Sequence, residues 1–117
     1  MVKSGKSNTR LRVCRVIDVP LHEVSGICLR HGRNGRVHLI AVGDRMAKIA
    51  WFSLPRSDAG RIDWHTGDIA KVSGSMLPKH DPQIEAVCAD GPGRVLLLQE
   101  TPPRVELIDP KALSVVA

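Results

Sequence analysis

Apolar runs rich in Val, Ile and Leu, mostly four to eight residues long, recur along the chain between Gly- and Pro-bearing turns. That spacing belongs to short β-strands. The pattern predicts strands at residues 11–19, 24–29, 37–42, 48–54, 62–72 (with a break at Thr66-Gly67), 84–89, 94–99, 105–108 and 113–116. Between them stand turn-forming groups: Arg33-Asn34-Gly35, Asp58-Ala59-Gly60, Asp90-Gly91-Pro92-Gly93 and Asp109-Pro110. No window of eleven or more residues holds a clean 3.6-residue period, and residues 68–77 offer one short helical turn at most. The fold class is all-β.

An internal repeat sets the expected architecture. Residues 38–53 lie over 94–109 without a gap, so that Ile40-Ala41-Val42-Gly43-Asp44 matches Leu96-Leu97-Leu98-Gln99-Glu100. Upstream, Val24-Ser25-Gly26-Ile27-Cys28-Leu29 matches Ile84-Glu85-Ala86-Val87-Cys88-Ala89 at an offset four residues longer. The difference falls in the turns at 31–36 and 90–93, where length varies freely. Each unit reads as an apolar strand, a Gly turn, an apolar strand ending in an acid, a third strand and a fourth. Four short antiparallel strands per unit are the pattern of a β-propeller blade; two similar β-meanders of generic patterning are the plainer alternative. The expected organisation is a basic N-terminal arm with a lead-in strand over 1–20, a first blade-like repeat over 21–77 and a second, truncated one over 78–117.

Several of these segments resemble the phytase-like (esterase-like) β-propellers. His22-Glu23-Val24-Ser25-Gly26-Ile27 is similar to that family's opening E-L-S-G-L strand, and Ala41-Val42-Gly43-Asp44 to its V-S-D strand end. Gln83-Ile84-Glu85-Ala86-Val87 resembles its D-x-E-G-[IL]-A strand, with Ala86 where Gly is usual, and 89–95 fits the D-x-x-G-R-[VL] turn of propellers generally. The resemblance covers 22–117 through short motifs shared with lactonase-like propellers. It implies a hydrolase of carboxyl or phosphate esters, working either with Ca2+ or with no cofactor. A propeller closes with about four to eight blades, so two blades imply the N-terminal piece of a longer propeller, a truncated product, or a protomer completed by copies of itself.

Strand direction nominates a site. The first strand of a blade starts at the face where the second ends, so Glu23, Ser25 and Glu85 are expected on the same rim as Asp44 and Glu100. Converging oxygens suit a hard cation such as Ca2+, which takes six to eight oxygen ligands, or acid–base work in hydrolysis. Glu85, set within an apolar strand, is the expected metal ligand and the least exposed of the five, since an acid there needs a partner. The alternative is that carboxylates at strand ends are solvated and blunt sheet edges.

Charge adds one asymmetry: residues 1–60 carry eleven bases and four acids, residues 61–117 six and eight. The basic arm (Lys3, Lys6, Arg10, Arg12, Arg15) could meet phosphates or anionic lipid by charge alone. With no Tyr and one Phe, stacking platforms for nucleic acid are lacking, and the arm reads as a solvated N-terminus. No apolar run reaches the length of a membrane span, and arginines interrupt any signal-peptide core. Three cysteines at distant spacings make no disulfide framework; the expected setting is cytoplasmic. Cys28 and Cys88 hold equivalent strand positions and read as small core residues, while Trp51, Phe52 and Trp64 read as outer-strand residues packed between blades.

Other motifs fail on their spacing. The five histidines (22, 31, 38, 65, 80) show no zinc-ligand pattern. Ser4-Gly5-Lys6-Ser7 lacks the earlier Gly of a phosphate loop, and Ser73-Gly74-Ser75-Met76 is no nucleophile elbow. Two functions remain: a metal-assisted ester or phosphoester hydrolase, or a non-catalytic propeller-derived scaffold for a small ligand or protein. The expected partners are a small molecule, the remaining blades or further copies of the chain, with neither nucleic acid nor membrane among them.

Overall fold

The computed structural model describes residues 10–32, 35–72, 74–91 and 94–109, and the backbone of 114–115. Among the described residues eight strands form two four-stranded antiparallel sheets, each in sequential order. The first contains β1 (Val24–His31), β2 (Val37–Gly43), β3 (Lys48–Ser53) and β4 (His65–Asp68). The second contains β5 (Ile84–Asp90), β6 (Arg94–Gln99), β7 (Arg104–Asp109) and β8 (Ser114–Val115). The sheets stack face to face and do not close into a ring. Among the described residues no helix is long and apolar enough to cross a membrane.

The sequence repeat is a repeat of register. Cys28 pairs with Ile40 and Cys88 with Leu96; Ile40 pairs with Trp51 and Leu96 with Leu107. Even the irregularities coincide, with a bulge between Val24 and Gly26 in one sheet and between Ile84 and Ala86 in the other. In each sheet the residue left over is the one at the site position, Ser25 or Glu85.

The core lies between the sheets. Ile40, Val42, Ile49 and Trp51 from the first meet Ile84, Val87, Val95, Leu97 and Ile108 from the second, with Ile69 and Leu77 of the connecting segment closing one side. Strand β5 lies across β1 and β2, and Gly26 is what lets it approach. A Cβ there would sit 3.2 Å from the Val87 nitrogen and 3.3 Å from the Ala86 Cα, backbone atoms that cannot swing aside.

The structure corrects several expectations. Residues 10–19 form no strand: Leu11 and Val16 are almost fully exposed and no neighbouring strand pairs with them. The arm is instead tied down by Arg15, which donates to the Asp58 and Gly60 carbonyl oxygens at 2.7 and 2.6 Å. The long strand over 62–72 shrinks to His65–Asp68, and the chain then turns through a single 3-10 turn, Ile69–Lys71. Ile69 stays in the core beside Ala47, to whose carbonyl oxygen its N–H donates at 2.7 Å. Cys28 and Cys88 are register equivalents, yet Cys28 is half-buried and Cys88 exposed, because only the first sheet has a neighbour on that side. Trp64 precedes β4 and packs edge-on against Phe52, at 4.5 Å between ring centroids. Trp51 lies between the sheets as expected. The predicted strand ends at 113 and 116 lie outside the described residues.

Candidate functional site

The rim is built by the starts of β1 and β5 and the ends of β2 and β6. Val24 pairs with Gly43 and Ile84 with Gln99, so Glu23, Asp44 and Glu100 extend just beyond paired residues. Gly43 is required there, since a Cβ would collide with the Glu23 carbonyl oxygen. The segment joining the two repeats sews the rim together. Asp81 N–H donates to the Arg45 carbonyl at 2.7 Å, Gln83 N–H to the Asp44 carbonyl at 3.1 Å, and Glu100 N–H to the Gln83 carbonyl at 2.9 Å. Asp81 and Gln83 take left-handed backbone angles, φ 48° and 56°, to make this turn. A non-glycine residue takes that conformation at some cost, and such residues persist where the surroundings fix them.

Three of the five expected site residues interact there. The Glu85 carboxyl is held above the ordinary glutamate range, first by a hydrogen bond with the Glu100 side chain and then by that group's charge. Slight desolvation and the charge of Asp44 push the same way. Asp44 is half-buried, and its Oδ1 is shielded from solvent with no hydrogen-bond partner among the described residues. It, rather than Glu85, is the sheltered carboxylate. Glu85 is exposed because the bulge turns it out of the strand's buried row.

The other two are otherwise engaged. Glu23 forms an ion pair with Arg45 at 3.0 Å, and the Ser25 hydroxyl donates to the Val42 carbonyl at 3.4 Å. Among the described residues no group of three or more His, Cys, Asp or Glu side chains is arranged as a metal centre. A cation at this rim would draw on Glu85, Glu100 and Asp44 after a rearrangement, not on a preformed cage.

Sequence reasoning passed over the most deeply buried carboxylate. Glu106 on β7 is 5% exposed. It accepts hydrogen bonds from the Ser75 hydroxyl at 2.8 Å and the Met76 N–H at 2.7 Å, clamping the connecting segment to the second sheet. The repeat held the signal, since Glu106 lies over Ala50, which is buried on β3. The histidines divide in the same structural sense. His38 is buried beside Arg30, 3.2 Å from its guanidinium, and His65 stacks on Trp51. Compared with protein-family models, curated proteins and solved structures, the chain matches none.

Proposed function

We propose that this chain is a pair of propeller-type blades serving as a ligand-binding scaffold, with Asp44, Glu85 and Glu100 as its binding edge and a hard divalent cation such as Ca2+ as the ligand that edge favours. The observation supporting this reading is the shielded Asp44 Oδ1, which has no hydrogen-bond partner among the described residues, at a rim where Glu85 and Glu100 lie close enough for the Glu100 carboxyl to raise the Glu85 pKa. Once both ionise they repel, and a cation relieves the repulsion as the proton did. Ca2+ takes six to eight oxygens, so three side chains would leave positions for water or for an anionic ligand.

The phytase-like resemblance extends this reading to a hydrolase of phosphate or carboxyl esters. There the cation would polarise an ester oxygen, and the upward shift of the Glu85 pKa is the feature that favours acid catalysis at the same rim.

Calorimetric titration with CaCl2 tests the site. The wild-type chain is expected to bind, and to bind more weakly as pH falls through the raised pKa of Glu85, because proton and cation compete. Glu85→Gln keeps the shape and removes the charge; it should bind on the order of tenfold more weakly and lose most of that pH dependence. Without Ca2+ the sign of the stability change is fixed too. The native chain holds more protons than the unfolded one between the ordinary and raised glutamate pKa values, so stability falls as pH rises through that window. Equal binding by wild type and variant, or no heat from either, removes the rim from the account. Turnover of p-nitrophenyl phosphate or acetate by the wild type but not by the variant would place hydrolysis above simple binding.

A further inference from the structure

We infer that the uncovered face of the second sheet is a docking surface for the first sheet of another copy of this chain, joined head to tail. The surface is a continuous apolar patch. Leu96 pairs with Leu107 and Leu98 with Val105, flanked by Cys88 and Ala86. Leu98 is 42% exposed and Val105 54%.

The repeat identifies what fits this face. Its residues are the register equivalents of Cys28, Ile40, Val42, Ile49 and Trp51, which in the first sheet form the face that the second sheet covers. Within the chain, then, this same surface is already paired with a known complement: a sheet of the same repeat, arriving with its first strand. The second sheet presents Val87 to that interface, 7% exposed. The equivalent residue of the first sheet is Ile27, and it is 60% exposed. One end of the molecule thus displays the socket and the other the residue that fills it. The rest of the outer face of the first sheet is closed, with Phe52, Ala41 and Ala50 fully buried. Docking therefore runs through β1, as β5 runs across β1 and β2 inside the chain.

Charge favours the same arrangement. Residues 21–77 carry eight bases and five acids, and residues 78–117 four and six. Head-to-tail contact sets the basic repeat against the acidic one, whereas two second sheets face to face would oppose like charges. A heterologous contact of this kind closes into a ring when its rotation permits, and about two to four copies would supply the blades of a propeller. The inference rests on the blade-pair reading and is independent of the acidic rim.

Sedimentation of the 117-residue chain over a range of concentrations, with circular dichroism to confirm folding, provides the test. The wild type is expected to assemble beyond its 12.8 kDa monomer. Leu98→Glu and Ile27→Glu, both at exposed positions, should each sediment as folded monomers. Mixed together they should form a complex of twice the monomer mass and no larger, since each retains one good face. Val105→Glu should reproduce Leu98→Glu. A wild type that remains a folded monomer overturns the inference and leaves the patch to a different partner. Ile27→Glu assembling like the wild type, or the two variants failing to pair, overturns it as well. The Ca2+ titration would be unaffected by these outcomes.

Discussion

Trp51→Ala is expected to abolish cooperative folding or bring the chain to its edge. Trp51 is 9% exposed, belongs to the cluster between the sheets and stacks on His65 across β3 and β4, 5.7 Å between ring centroids. Truncating a buried Trp costs about 3–5 kcal/mol, through lost burial and the cavity left behind. Domains as small as this one bury a modest fraction of their surface and hold only about 5–15 kcal/mol in total. Urea denaturation followed by circular dichroism reads the loss directly, and Trp64, half-buried against Phe52, remains as a fluorescent reporter. A cost below about 1 kcal/mol would mean that Trp51 is not between the sheets.

Glu106→Ala carries the second large effect, by a different route. The residue contributes no apolar burial; it answers the Met76 N–H and the Ser75 hydroxyl. Hydrogen bonds to a carboxylate are worth about 1.5–3 kcal/mol, and because the Ser75 and Met76 donors are only partly buried little desolvation penalty adds to that. A loss of about 3 kcal/mol is expected from the pair, with faster amide exchange at Met76. Glu106→Gln keeps one acceptor oxygen and should recover part of the loss. An Ala variant as stable as the wild type, with Met76 exchange unchanged, would place Glu106 in solvent instead of beneath the connecting segment.

These two residues show how unevenly the structure could be read from the sequence. The repeat was visible because apolar alternation and turn positions are local, and the same offsets that align the residues also reproduce the strand register, bulges included. Trp51 followed from that pattern. Glu106 was passed over although its repeat counterpart Ala50 marks a covered position, because an acid there needs partners, and Ser75 and Met76 come from a segment with no periodic signal. The arm failed in the opposite direction. Its alternation of Leu11 and Val13 with Arg10 and Arg12 is strand-like, but a strand also needs an edge to pair with, which composition cannot reveal.

The acidic rim was legible as a location and not as an environment. Strand direction brought Asp44, Glu85 and Glu100 together. The identity of the sheltered member depended on the bulge at Glu85, an extra residue that turns one side chain without changing the hydrophobic pattern. Burial of Cys88 was misjudged for a related reason: equivalence in the repeat fixes which face a residue occupies, but not whether that face is covered.

The central claim is that two register-equivalent sheets stack with β5 across β1, and nuclear Overhauser contacts on isotope-labelled protein test it most directly. Gly26 Hα should show contacts to the Val87 amide, where the structure leaves room for little more than a hydrogen. Methyl contacts should link Ile40 and Val42 with Val87 and Val95. The same contacts must persist when labelled and unlabelled chains are mixed, marking them as intramolecular. A spectrum in which Gly26 meets no β5 residue, while β4 pairs directly with β5 as one continuous sheet, would contradict the account.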